Sequence, residues 1–196
     1  MTPAQQETST WTIDAAHAEL GFAVRHLMIS TVRGRFAAVT GSVTVDPHKP
    51  EAAKIDVTID VKSIDTRQEM RDNHLRSADF FDAEHYPHIH FVSKRVEGDI
   101  NGAFRVIGDL TIRGTTRDVT LDVTNEGRGM DPWGSERVGI SATGKIKRSD
   151  FGLTWNQVLE AGGVAVGDEI KLSLDVELVH QAAPAAPAAP AAGAVA

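Results

Sequence analysis

With 196 residues, 41% of them hydrophobic, the chain suits one domain with a sizeable core. Its net charge of −7 and its lack of clustered lysine and arginine exclude a general nucleic-acid binder, because phosphate contacts need grouped positive charge. The absence of cysteine excludes disulfides, thiol nucleophiles and cysteine-ligated metals.

The N-terminal residues are polar, and residues 1–9 are predicted to be flexible. They carry neither the basic patch nor the apolar run of a secretory signal. Apolar runs also stay well short of the roughly 18 residues that a membrane span needs. We therefore expect a cytoplasmic protein without a membrane span, unless the sequence is a processed form with a replaced methionine.

Alternating apolar residues predict a series of half-buried strands. Leu20, Phe22 and Val24 alternate with small or polar residues, and an extended pattern resumes over 32–45 before a turn at Asp46-Pro47. The clearest strand covers 54–62, where every second residue is Ile or Val. Later strands are predicted at 88–96, 104–112, 116–124, 138–146 and 170–178.

The segment 71–91 interrupts this pattern with four histidines, two adjacent phenylalanines and the one tyrosine. Thr66 followed by Glu69 has the spacing of a capping box and predicts a short helix over 66–76. Ser77 can cap a further turn that presents Phe80 and Phe81. Pro87 favours an extended backbone before a strand resumes at His88.

The fold class predicted from this order is all-β: an antiparallel up-and-down, lipocalin-like β-barrel of about eight strands over 10–180, with a short helical insertion. A two-sheet sandwich is the competing architecture. Residues 181–196 repeat Ala-Ala-Pro and are predicted to be a disordered tail. The alternative for this tail is a semi-rigid spacer or an arm that docks a partner.

Several segments in this order resemble the YceI-like, polyisoprenoid-binding family. They are His17-x-x-Leu-Gly-Phe-x-Val-Arg-His-Leu-Met, Val32-Arg-Gly-Arg-Phe36, Arg71-x-x-His-Leu-Arg-Ser-x-Asp-Phe-Phe-Asp, Tyr86-Pro-x-Ile-x-Phe91, Gly108-x-Leu-x-Ile-x-Gly114 and Arg148-Ser-Asp-Phe-Gly152. The resemblance runs from Trp11 to Val179. It implies a barrel that holds a polyprenyl phosphate, an isoprenoid quinone or a fatty amide. Many members of that family carry a secretion signal, which this sequence lacks.

We accordingly predict a protein that binds, carries or sequesters an isoprenoid-type lipid, without another cofactor. The residues expected along the cavity are Phe22, Val24, Met28, Phe36, Phe91 and Leu110. Those expected near its mouth or base are Leu75, Phe80, Phe81, Phe151 and Trp155. For each of them the alternative is ordinary core packing.

A lipid head group needs polar contacts at one end, and the candidates are His26, Arg71, Asn73 and His74. The alternative is that Arg71 and Arg76 pair with Asp72 or Asp79 and only fix the insertion.

The spacing of His85, His88 and His90 indicates a second function, a metal-binding or metal-dependent barrel, with Asp82 and Glu84 as further ligands. An enzyme is not expected, because the sequence lacks a nucleophile elbow, a P-loop and a dinucleotide-binding turn. Association as a homodimer through an outer strand face is compatible with the sequence, although Lys54, Asp56, Thr58 and Asp60 would make that face polar.

Overall fold

The computed structural model describes residues 8–158 and 163–181. Residues 182–196 of the tail predicted over 181–196, and residues 1–7 of the predicted flexible N-terminus, lie outside these residues, whereas Gln181 is the last residue of a strand. In the described part, ten strands and one α-helix follow one another. The strands are β1 Ser9–His26, β2 Ser30–Phe36, β3 Val39–Val45, β4 Lys54–Asp60, β5 Ile64–Asp65, β6 His88–Gly98, β7 Ala103–Ile112, β8 Thr115–Met130, β9 Glu136–Lys147 and β10 Val166–Gln181, and the helix is α1 Glu69–Arg76.

The sheet is antiparallel and closes on itself through β1 and β10. Its closed order is β1-β3-β4-β6-β7-β8-β9-β10, so eight strands form the barrel. The first part of β1 pairs with β3, and its last part, from Leu20 to His26, pairs with β2. The predicted barrel is therefore confirmed, and the sandwich is excluded because β1 and β10 join the two edges of the sheet.

Alternation along the strands directs the apolar side chains into the barrel. In β4, Ile55, Val57 and Ile59 point inward, while Lys54 and Asp56 are exposed. The resulting core runs through the barrel from Val96, Val106 and Val123 to Phe36, Ile64 and Phe151 under α1. The period of two in the sequence thus specified which face of each strand is buried.

The start of α1 differs from the prediction. The helix begins at Glu69, its N-cap is Gln68, and the Gln68 side chain accepts a hydrogen bond from the Arg71 N–H. The hydroxyl of Thr66 instead donates to the Asp72 carboxylate, which also accepts from the Thr66 N–H at 2.9 Å. The predicted capping box of Thr66 and Glu69 is wrong, because a buried carboxylate one turn into the helix binds the threonine.

Candidate functional site

Two apolar cavities lie inside the barrel. A narrower cavity of about 160 Å³ lies beneath α1, and a wider one of about 260 Å³ fills the opposite half. Leu20, Ile59 and Leu174 line both cavities and therefore form the boundary between them. We call these three residues the waist.

A larger depression of about 430 Å³ lies on the outside of the barrel, where Glu97, Arg105 and Asp122 help to bound it. Its open and charged surroundings are unsuited to a hydrocarbon chain.

Eight of the residues predicted as ligand contacts line the narrower cavity. They are Phe22, Val24, Phe36, Leu75, Phe80, Phe81, Leu110 and Phe151. Phe91 lines the wider cavity instead. The remaining six predicted residues lie outside both linings, and Met28, which was expected along the cavity, is 54% exposed at the turn after β1. Those outside the linings are His26, Met28, Arg71, Asn73, His74 and Trp155.

Aromatic rings cover the α1 end of the narrower cavity. The ring centroids of Phe80 and Trp155 lie 5.3 Å apart, and the imidazole of His74 packs edge-on against both rings. Deeper in, Phe36 contacts both Phe22 and Phe81. The segment after α1 and the loop after β9 therefore meet over the cavity, and a ligand entering from this side must displace their aromatic contact.

Gly34 allows the close approach of Phe22 to the barrel wall. A Cβ at position 34 would lie 2.9 Å from Cε1 of Phe22 and 2.7 Å from Cγ2 of Thr66, closer than real Cβ contacts allow. A side chain at this position would push Phe22 toward the cavity or displace the segment before α1.

The predicted head-group residues of α1 are engaged with protein atoms. The guanidinium of Arg71 donates to the hydroxyl and the carbonyl of Thr66, both at 2.7 Å. His74 Nε2 lies 2.9 Å from the carboxylate of Asp79, and the Asn73 side chain accepts a hydrogen bond from Arg76.

The alternative pairing of Arg71 and Arg76 with Asp72 or Asp79 is wrong. Arg71 donates to Thr66, while Arg76 donates to Asn73 and to the carbonyls of Lys62 and Ile64. Both arginines therefore fix the insertion through neutral acceptors rather than through ion pairs.

Arg148 is a charged lining residue that was not predicted as a site residue. It is 7% exposed, lines the narrower cavity, and donates to the carbonyls of Leu153, Trp155, Val166 and Gly167. Burial lowers the pKa of this guanidinium. Arg148 thereby joins the loop after β9 to β10, and the motif that begins with it was the signal in the sequence.

The far end of the wider cavity carries polar side chains that were also missed. Asn125 donates from its amide to the carbonyl of Ile100, and the Arg128 guanidinium lies 5.3 Å from the ring centroid of Trp11. Ser9 and Asn101 complete this group, which we call the polar rim. Its members come from β1, β8 and the turn after β6, so no sequence pattern links them.

The histidine cluster is not assembled as a metal site. His85 Nδ1 lies 2.9 Å from Asp82, and this carboxylate raises the pKa of His85. His90 Nε2 lies 2.8 Å from Asp56. Because two of the three imidazoles bind separate carboxylates, the metal alternative is not favoured.

A different group of potential metal ligands occurs in the described residues, formed by Asp14, His17 and Glu177, whose ligand atoms lie within 4.8 Å of one another. Arg137 Nη1 lies 2.6 Å from Asp14 and 2.9 Å from Glu177. The Arg137 guanidinium therefore already supplies the positive charge that a metal ion would bring to these two carboxylates.

The profile of the YceI-like domain matches residues 11–178. The chain belongs to the YceI-like family. Among its YceI-like relatives, the UPF0312 protein SAS2572 of Staphylococcus aureus strain MSSA476 is 39% identical over 170 residues, which cover 86% of this chain and 96% of that protein.

Solved structures agree with this YceI-like assignment. The YCEI protein of Campylobacter jejuni has 37% identity and a TM-score of 0.68, covering 81% of this chain and 90% of that one. Burkholderia cenocepacia BcnA has 26% identity and a TM-score of 0.72, covering 84% and 98%. A polyisoprenoid binding domain from Saccharophagus degradans has 16% identity and a TM-score of 0.63, covering 87% and 98%, and shares the fold.

Among the described residues, no helix is long and apolar enough to cross a membrane.

Proposed function

We propose that this YceI-like chain binds a long-chain isoprenoid-type lipid inside its barrel and carries or sequesters it. The observation that carries the proposal is the pair of adjoining apolar cavities, separated by the waist of Leu20, Ile59 and Leu174. The likeness in fold to a domain described as polyisoprenoid binding supports it. The proposed role is binding rather than catalysis.

The cavity walls account for affinity with few polar contacts. Burial of hydrocarbon contributes about 0.8 kcal/mol per CH₂ group, so a prenyl chain gains most of its binding free energy from contact with side chains such as Phe22, Leu110 and Ile170. A bent or branched tail that passes the waist would use both cavities. A polyprenyl phosphate and an isoprenoid quinone both meet this description.

We propose that the head group lies at the α1 end, near His26, Arg71, Asn73 and His74. The imidazole of His74 packs against Phe80, which lines the cavity, so displacement of the aromatic cover would bring this polar group to the opening. A second arrangement is favoured by a different observation: Asn101, Asn125 and Arg128 line the wider cavity directly. In that arrangement the head group lies at the polar rim and the tail points toward α1.

Native mass spectrometry of protein purified without detergent, followed by organic extraction, tests the function. We expect a bound isoprenoid lipid at about one per chain, released and identified in the extract. An empty protein that also fails to take up added polyprenyl phosphate and ubiquinone would contradict the proposal.

Paired variants locate the head group. If it lies at the α1 end, His26→Ala and Asn73→Ala weaken uptake of a polyprenyl phosphate, while Asn101→Ala and Arg128→Ala leave it unchanged. The reverse result places the head group at the polar rim. A short prenyl alcohol without a phosphate serves as the matched ligand, because its affinity should respond little to either pair.

Elemental analysis of untagged protein separates this proposal from a metal-dependent function. Stoichiometric zinc, iron or nickel in the wild-type protein that is absent from the double variant His85→Ala, His90→Ala would favour metal binding by the histidine cluster over lipid binding.

A further inference from the structure

The hairpin between β1 and β2 ends in three consecutive apolar residues, Leu27, Met28 and Ile29, which we call the apolar tip. Their exposed fractions are 37%, 54% and 80%. Val158, in the loop after β9, is 81% exposed. Val158 forms an isolated β-bridge with Val164. The next residue, Ala165, accepts a hydrogen bond from the Leu27 N–H through its carbonyl, so Val158 lies beside the tip. Apolar side chains from two connections are thus exposed together at the α1 end of the barrel.

The tip is held in a defined conformation. The N–H of Ile29 donates to the His26 carbonyl, and the Arg25 guanidinium donates to the Met28 carbonyl at 2.6 Å. Leu27 and Met28 have φ values of 50° and 60°, in the left-handed region. Hairpin turns with positive φ at both central residues favour Asn-Gly, so two large apolar residues here are conformationally unfavourable. Their exposure is not a consequence of a loose chain end.

The hairpin that carries the tip is basic although the chain has a net charge of −7. Residues 20–36 include Arg25, Arg33 and Arg35 and contain neither Asp nor Glu. These arginines occupy the outer face, opposite Phe22 and Val24, which line the narrower cavity.

The neighbouring strands extend this basic face. Lys171 of β10 pairs in register with Ala23 on one side and with Lys145 of β9 on the other, and both lysines are exposed. Two carboxylates form ion pairs with this face: Asp65 is 3.5 Å from Arg35, and Glu169 is 3.6 Å from Lys145. Glu19 and Asp175 pair in register on the same side of β1 and β10, farther from the tip. The cations outnumber these acids.

We propose that the apolar tip and this basic face dock on an anionic lipid bilayer. An exposed apolar group flanked by arginine and lysine is the combination that enters the interfacial region of a membrane, where apolar side chains leave water and cations meet lipid phosphates. The tip follows Val24 of the narrower cavity by only three to five residues, so docking brings the opening at the α1 end to the bilayer surface. The inference goes beyond the proposed function, because it requires no cargo.

Vesicle sedimentation tests the proposal with two lipid compositions. We expect the full chain to bind vesicles of phosphatidylcholine and phosphatidylglycerol mixed at about two to one, and to bind pure phosphatidylcholine much more weakly. Ile29→Ser should weaken partitioning about tenfold, since it removes the most exposed apolar side chain of the tip. Arg33→Gln should weaken it about fivefold, and added salt should reduce binding.

Trp133→Ser is the matched control, because Trp133 is 84% exposed in the turn between β8 and β9 at the opposite end of the barrel. We expect it to bind vesicles as the wild-type protein does. Absence of binding to the anionic vesicles, an unchanged Ile29→Ser protein, or an equal loss in Trp133→Ser would each overturn the proposal. Lipid content of Ile29→Ser by native mass spectrometry keeps docking distinct from cargo binding, since we expect that content to equal the wild-type value.

Discussion

The guanidinium of Arg137 on β9 lies 2.6 Å from the carboxylate of Asp14 on β1, although β10 runs between these two strands. The contact is possible because β1 bulges: Ile13 pairs with Leu178 and Ala18 with Val176, so residues 14–17 have no place in the ladder. Arg137 also binds Asp131 and Glu177. This ion-pair network fastens the three strands at the seam that closes the barrel.

The network predicts a stability loss in acid. The hydrogen bonds from Arg137 and His17 lower the pKa of Asp14 from 3.8 to about 2. Because the folded pKa is the lower one, the stabilisation is complete above pH 4 and is lost as the pH falls toward 2. We expect Asp14→Asn to cost about 1 kcal/mol at neutral pH and progressively less below pH 4, measured by urea unfolding.

Asp175→Asn is the control for this prediction, since Asp175 lies on the exposed face of β10. It should leave the unfolding midpoint almost unchanged. A constant difference between Asp14→Asn and wild type from pH 7 to pH 2 would contradict the assignment.

Thr66 anchors α1 to the barrel through Asp72. Its hydroxyl donates to the buried Asp72 carboxylate and accepts from Arg71 Nε at 2.7 Å. Thr66→Val keeps the shape but removes both bonds, so we expect a loss of about 2 kcal/mol in the free energy of unfolding. Thr111→Val, at an exposed threonine pair of β7 and β8, should cost far less. If Thr66→Val lowers the free energy of unfolding as little as Thr111→Val does, Asp72 finds another hydrogen-bond partner and the assignment is contradicted.

The waist should set how far a tail reaches. Leu174→Phe adds volume where the two cavities meet, and we expect it to reduce affinity for long prenyl chains at least tenfold while short chains bind nearly as before. Competition with a fluorescent prenyl ligand, using tails of increasing length, measures this. Val92→Phe adds the same ring to the exposed outer face of β6 and should change neither affinity. If Leu174→Phe lowers the affinity for short and long prenyl chains equally, the substitution has collapsed the barrel rather than blocked the waist.

The aromatic cover should control exchange. Phe80 is 6% exposed and packs on His74 and Trp155, so Phe80→Ala should cost about 3 kcal/mol of stability and accelerate release of a bound prenyl ligand. Stopped-flow displacement gives the release rate. Tyr86→Ala, at a 40% exposed aromatic outside the cover, is the comparison. Unchanged release from a folded Phe80→Ala protein would move the entrance to the other end of the barrel.

Residues whose role follows from strand alternation were predictable. The inward direction of Phe22, Val24, Phe36 and Leu110 follows from a period of two, and the structure places all four along one cavity. Met28 could not be placed this way, because two left-handed residues reverse the chain at Leu27 and Met28 and end the alternation.

Contacts that depend on tertiary position were not predictable. Arg148 takes its acceptors from backbone carbonyls on a loop and on β10, and the polar rim gathers side chains from distant strands. The predicted helix start was wrong for a related reason: the Thr66 hydroxyl, which a local capping box would have used, donates to the buried Asp72 carboxylate instead.

The bulge at 14–17 divides β1 into two ladders with different partners, one with β3 and one with β2, while β10 spans both. The ladder therefore closes completely only around the half with the wider cavity, where β1 pairs with β3; in the α1 half β1 pairs with β2, whose other partner is the two-residue β5. Fraying of the first ladder would widen only the half that holds the wider cavity, and the region beneath α1 would keep its pairing. Amide exchange along β1 should accordingly be stepped, faster before Asp14 than after Ala18, so that the two halves of one strand behave as separate cooperative units.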